Sequence, residues 1–126
     1  MPTARRPVPS LSLPPALEPR LRFGIGEESA FGPGKAQLLR RIAATGSIRA
    51  AALAMDMSYN RAWTLVREMN RQFALPLLAA ARGGSAGGGA ALTPTGREVL
   101  ARYERMGRSC RAATRTDWRA LRRLLR

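Results

Sequence analysis

Histidine is absent from this 126-residue sequence and cysteine occurs once, at position 110. Without an imidazole there is no Ser-His or Cys-His dyad, no histidine base and no zinc site built from several Cys and His ligands. A lone thiol also forms no disulfide framework within the chain. No apolar run approaches the roughly 20 residues that a bilayer-spanning helix needs, so no membrane partner is expected. Acidic residues are scarce, eight against 22 basic ones. Glu27, Glu28, Asp56, Glu68, Glu98, Glu104 and Asp117 fall apart from one another in the expected elements, so no paired-carboxylate or metal site assembles. The chain is therefore not expected to be an enzyme or to carry a cofactor or metal. Lysine is almost missing as well, Lys35 being the sole one. The preference for Arg beside abundant Ala fits the codon composition of a GC-rich genome and carries little meaning.

What remains is a large excess of positive charge, +14 in all, with a sequence pI of 11.9. Solubility of a small domain asks for roughly 2 to 8 charges, so a polyanionic partner is expected. The length suits one packed domain with tails, and 45% apolar residues supply a core. Residues 1–20 carry six prolines, which interrupt any helix or ladder strand and predict a flexible arm. The same prolines break up any apolar export segment behind Arg5 and Arg6, and the chain is read as cytoplasmic. Residues 1–33 are nearly neutral, whereas 94–126 hold ten basic against three acidic residues. The field sits on the domain and its C-terminal tail.

Leu21 to Ile25 alternates apolar with polar or small residues and reads as a short strand ended by Gly26. From Pro33 a helical period begins, with Leu38, Leu39 and Ile42 on one face and Gly46 as its stop. Ser47 caps a second helix, Ile48 to Met55, whose alanines permit close approach of another helix. Asp56-Met57-Ser58 breaks and re-caps the chain. A third helix, Tyr59 to about Phe73, places Tyr59, Ala62, Trp63, Val66, Met69 and Phe73 on one stripe, with Trp63, Val66 and Met69 expected in the core. Leu77 to Arg82 and Ala90 to Leu92 read as a hairpin with a Gly-rich tip. Thr93 caps a last helix opened by Pro94. Along it Val99, Tyr103, Met106, Cys110 and Ala113 step by 4, 3, 4 and 3, the spacing of a coiled-coil seam, broken at Asp117.

This order is a winged helix-turn-helix, mainly α with a small β-wing and a long C-terminal dimerisation helix. The domain is expected over residues 21–107, between the arm (1–20) and a basic helical tail (108–126). The second helix would cross the phosphate backbone and leave the polar face of the third free for a major groove about 12 Å wide. Asn60, Arg61 and Thr64 would then meet base edges: Arg grips guanine, Asn adenine, and Thr a thymine methyl. Arg67 and Arg71 would meet phosphates, and Ser58 and Tyr59 would fix register on the backbone. Charges on a helix face are usually only solvated; the net charge and the preceding Ala-rich helix favour the DNA reading. At the wing, glycines such as Gly84 permit close approach to a phosphate, and Arg82 could enter a minor groove. A flexible turn is the alternative there.

Other signals fail on inspection. Gly32-Pro33-Gly34-Lys35-Ala36 looks like the end of a phosphate loop, but Ser29 stands where the first glycine belongs and Ala36 where Ser or Thr does. Cys110 reads as a small hydrophobe on the seam, with no histidine to activate it.

Leu38-Leu39, Thr45-Gly46-Ser47-Ile48, Ala51-Ala52, Met57-Ser58-Tyr59, Ala62-Trp63 and Glu68-Met69-Asn70, followed by Gly87-Gly88-Gly89-Ala90, Leu92-Thr93 and Gly96, resemble the N-terminal DNA-binding domain of the ModE-type molybdate-responsive transcription regulators. More distantly the run is similar to the winged helix of LysR-type regulators. The resemblance covers about residues 20 to 107. It implies a dimer formed through the first strand region and the last helix, which assigns Phe23, Val99, Tyr103, Met106 and Cys110 to the interface. It also implies that the helix opening at Ser58 and Tyr59 lies in the major groove. Family members carry molybdate-binding domains after the winged helix; here an Arg-rich tail follows, so no dedicated molybdate site is expected.

The expected function is that of a homodimeric, sequence-specific, DNA-binding transcription regulator on double-stranded DNA, cytoplasmic and nucleoid-associated. The alternatives are a non-specific architectural nucleic-acid binder and a dimerisation partner of a full-length regulator.

Overall fold

A computed structural model of the chain describes residues 14–26, 28–81 and 89–126. Its elements are β1 (Phe23–Ile25), β2 (Glu28–Phe31), α1 (Pro33–Thr45), α2 (Ile48–Ala54), α3 (Tyr59–Gln72), β3 (Leu78–Ala81), β4 (Gly89–Leu92), α4 (Pro94–Ala113) and α5 (Arg115–Arg122). Local chemistry sets most boundaries. Pro33 opens α1, and Gly46 closes it at φ +69°, its N–H donating to the Ile42 carbonyl; glycine enters this left-handed region without steric cost. The Ser47 hydroxyl accepts from the Ala50 N–H, Ser58 from Arg61 and Thr93 from Gly96, so three helices start on side-chain caps. Asp56, at φ +54°, makes the turn between α2 and α3.

α1, α2 and α3 pack as a trio, and the β3–β4 wing lies against it. Leu38, Leu39 and Ile42 meet Ile48, Ala51 and Ala52, with Ala62, Leu65, Val66 and Met69 from α3 and Leu77, Leu78, Ala90 and Leu92 from the wing. Alanine at 51, 52 and 62 lets the backbones approach. Burial of each Leu or Ile stabilises the fold by about 1.5–3 kcal/mol. In the wing, Leu78 pairs with Leu92 and Ala81 with Gly89, antiparallel.

Asn70 ties α3 to the wing. Its side-chain carbonyl accepts from the N–H groups of Leu77 (2.9 Å) and Leu78 (3.0 Å), and its amide donates to the Leu78 carbonyl (3.1 Å). Thr93 closes the other side, its N–H donating to Leu77 and its hydroxyl to the Pro76 carbonyl.

Three features depart from the sequence reading. First, β2 pairs with β1, Phe23 opposite Phe31, where the sequence suggested no second strand. The anchor is tertiary: Phe31, fully buried, stacks on Phe23 at 5.3 Å and meets Phe73 and Tyr103 edge-on at 5.8 and 5.4 Å. Second, Trp63 is not a core residue. It remains 37% exposed, while Leu65, absent from the expected stripe, is buried. At about 100° per residue, the stripe set by Ala62, Leu65, Val66 and Met69 leaves Trp63 on its flank. Third, the last helix, expected to run on towards the end of the chain with only its apolar seam broken at Asp117, is interrupted at Thr114, and Asp117 falls in the first turn of α5. The Thr114 hydroxyl donates back to the Cys110 carbonyl at 2.7 Å, a bond that competes with helix continuation. α4 runs unbroken through Gly107 and Arg108.

Candidate nucleic-acid interface

α3 presents an outer face made of polar and cationic side chains. Asn60, Thr64, Arg67 and Arg71 fall within an arc of about 60° on the helical wheel, opposite the buried stripe. All four are exposed. The Thr64 hydroxyl donates to the Asn60 carbonyl at 3.0 Å, which fixes its side-chain rotamer. Arg61 lies about 100° round from Asn60, on the flank shared with Leu65 and Glu68. Among the described residues, neither Arg61 nor Arg67 has an acidic side chain at ion-pair distance, and no element of the chain lies across this face.

The helix start is set by Ser58, whose hydroxyl is engaged in the cap. Tyr59 is half-exposed and sandwiched: the Arg49 guanidinium of α2 sits 4.4 Å from its ring centre, and Trp63 meets it edge-on at 6.2 Å. These three line a cavity of about 350 Å³ between α2, α3 and the wing root. Arg49 is not among the residues the sequence marks for the interface, since its position as the second residue of a short helix carries no local signal of that contact.

On the other flank of α3 a second hollow, about 480 Å³, is lined by Arg20, Arg22, Gly34, Lys35, Arg61 and Glu68 among others. Lys35 is only 6% exposed and its ammonium lies 3.1 Å from Glu68 and donates to Gln72 at 3.1 Å. The pair joins α1 to α3 and neutralises itself. Arg20 and Arg22, from the end of the expected arm and the expected first strand, line the same hollow as Arg61.

Of the expected wing contacts, Arg82 and Gly84 lie outside the described residues. On the seam of α4, Val99 and Tyr103 pack against the chain's own core, whereas Met106 is exposed and Cys110 half-buried. Phe23 is exposed at the edge of the Phe31 cluster. The Tyr103 hydroxyl donates to the Leu21 carbonyl at 2.6 Å; burial raises its pKa above the ordinary 10.0, against the opposing pull of Arg40 and Arg20. Arg40 itself pairs with Glu104 at 2.9 Å, linking α1 to α4.

The helix-turn-helix formed by α2 and α3, with a wing behind it, matches the family model described as bacterial regulatory helix-turn-helix protein, lysR family, over residues 34–97, just over half of the chain. The chain belongs to this lysR family. The chain is 49% identical over 73 residues to the molybdenum-pterin-binding protein MopB of Rhodobacter capsulatus, covering 58% of this chain and 27% of that protein. It is 39% identical over 72 residues to the DNA-binding transcriptional dual regulator ModE of Escherichia coli K12, covering 57% and 28%. To the molybdenum transport protein ModE of Azotobacter vinelandii it is 37% identical over 75 residues, covering 60% and 28%. The matched segment spans little more than a quarter of the length of these relatives. Among the described residues of this lysR-family chain, no helix is long and apolar enough to cross a membrane.

Proposed function

We propose that this chain is a sequence-specific, DNA-binding regulator of transcription that acts as a homodimer on the nucleoid in the cytoplasm. The observation that carries the proposal is the outer face of α3: aligned, exposed Asn60, Thr64, Arg67 and Arg71 on a helix whose inner face is locked into the core. A helix of this kind fits the major groove with its N-terminal turns at the base edges. Asn60 is suited to adenine and Thr64 to a thymine methyl, with Arg67 and Arg71 placed further along, where phosphates pass. Ser58 and Tyr59, at the helix start, would set register on the backbone, and Arg61 would approach from the flank. The names of the E. coli relative and of the matched family support this reading, as does the net charge of +14.

The dimer is proposed through Phe23 and the α4 seam. Met106 and Cys110 offer the outward part of that seam, continued by Val99 and Tyr103 where these rise from the core. Two copies would place their α3 helices about one turn of DNA, ~34 Å, apart and so read a pseudo-palindrome.

Selection of bound duplexes from a random pool tests the function. The expected result is convergence on a two-fold motif that survives about a thousandfold excess of random duplex, within the usual specificity ratio. A retained pool that stays random, with binding erased by that excess, would instead mark a non-specific coat and refute the proposal.

A further inference from the structure

The hollow beside α3 is built by three parts of the chain distant in sequence. Arg20 and Arg22 come from the segment before β1, and Arg61 from the flank of α3. The segment is fixed: Tyr103 holds the Leu21 carbonyl between the two arginines. The stem of Arg22 passes over Gly32, where a Cβ would come within 3.3 Å of the Arg22 Cγ. All three arginines are exposed. Among the described residues the other charges lining the hollow are Lys35 and Glu68, which lie 3.1 Å apart as an ion pair, so the described side chains give the hollow a net positive charge. Guanidinium forks match the geometry of phosphate oxygens.

We propose that Arg20, Arg22 and Arg61 together grip one phosphate of the DNA backbone, on the flank of the groove that α3 enters. The inference rests on the DNA-binding reading and deepens it. It extends the interface beyond the helix-turn-helix to the segment before β1, and it makes Arg61 a positioning contact on the backbone in place of a base reader. Three like charges lining one exposed hollow favour an anion within it, since each guanidinium gains from a phosphate and none from its neighbours. The duplex is the natural source, because Arg61 lies on the helix that carries the proposed reading face.

The test uses the whole chain and its selected duplex, with each backbone phosphate in turn replaced by a neutral methylphosphonate. One replacement per half-site is expected to weaken the wild type about tenfold and the R20A/R22A variant much less, since only Arg61 of that grip remains. The variant should bind selected and scrambled duplexes about tenfold more weakly alike, with a salt slope shallower by about one. R20K/R22K should restore most of the slope, and unchanged melting temperatures would certify the fold. Identical phosphate-replacement profiles for wild type and R20A/R22A would overturn the proposal while leaving DNA binding intact. Stabilisation of the wild type alone by inorganic phosphate, with identical DNA profiles, would make the hollow a free-anion site and overturn it equally. A wild type that binds no duplex would sink the DNA-binding reading itself.

Discussion

Gly96, in the first turn of α4, lies directly against the backbone carbonyl of Leu77, so that a Cβ at position 96 would collide with the Leu77 backbone. Neither partner is a flexible side-chain end. The Leu77 carbonyl also accepts from the Thr93 N–H, and Leu77 is fully buried. Gly96→Ala should therefore force α4 away from the wing root. The expected loss is about 1–3 kcal/mol, the range for overpacking a tight contact, read as a lower midpoint in urea unfolding. A variant as stable as the wild type would show that α4 can shift without cost.

Asn70→Ala removes three hydrogen bonds to the start of β3 at once. The N–H groups of Leu77 and Leu78 lose the oxygen they share, and both residues are buried. Leaving such groups unpaired costs about 1–3 kcal/mol each in desolvation, reduced where the backbone relaxes. The expected total is roughly 3 kcal/mol, measured by chemical unfolding, with faster amide exchange in β3. Asn70→Asp should cost less, because a carboxylate still accepts from both N–H groups.

The Lys35–Glu68 pair obeys a different rule. Lys35→Met removes the ammonium 3.1 Å from Glu68 and is expected to destabilise by about 2–3 kcal/mol, below the full cost of breaking a buried pair because Glu68 is 24% exposed. Replacing both, Lys35→Met with Glu68→Leu, should return stability to within about 1 kcal/mol of the wild type. A double-mutant cycle by thermal and urea unfolding checks this; a double variant as unstable as the single one would mean that the site needs its charge.

Those residues also mark what could be read from the sequence. Gly46, Ser47, Ser58 and Thr93 were legible as boundaries because capping is local chemistry, settled within three residues. Asn70 and Gly96 were visible as features of a resemblance, but the contacts that explain them depend on the wing folding back onto α3 and α4. Trp63 was misplaced because an aromatic at helical spacing counts as apolar whatever its phase, whereas the phase of the stripe is decided by Leu65 and Met69. β2 was illegible: Glu28-Ser29-Ala30 has no alternation, and its pairing depends on Phe31 reaching Phe73 and Tyr103. That Arg20, Arg22 and Arg61 line one hollow is likewise a product of tertiary structure.

On the proposed reading face, Asn60 and Arg67 should separate by kind of effect. Asn60→Ala is expected to cost about 1–3 kcal/mol on the selected site and to relax preference at one base position. Arg67→Ala should weaken all duplexes alike and shallow the salt slope by about one. Competition binding against single-base variants, repeated across salt concentrations, measures both. If Asn60→Ala left the selected motif unchanged, base reading would have to lie elsewhere than the first turns of α3.

Tyr103 makes the last prediction, because its hydroxyl joins α4 to the segment that carries Arg20 and Arg22. Tyr103→Phe keeps the ring against Phe31 and deletes the bond to the Leu21 carbonyl, for an expected loss of about 0.5–1.5 kcal/mol. The sign of the pH effect follows from burial, which raises the folded phenol above its ordinary 10.0. Above that ordinary value the unfolded chain releases the proton first, so the native state binds more protons and its stability falls with rising pH. The advantage of wild type over Tyr103→Phe should thus be full below about pH 9 and shrink as pH climbs through the raised folded value. Urea unfolding of both proteins across that range measures it. A difference independent of pH would mean that the phenol is as easily ionised folded as unfolded, and a difference of zero would mean that the bond to the Leu21 carbonyl does not hold the arginine-bearing segment in place.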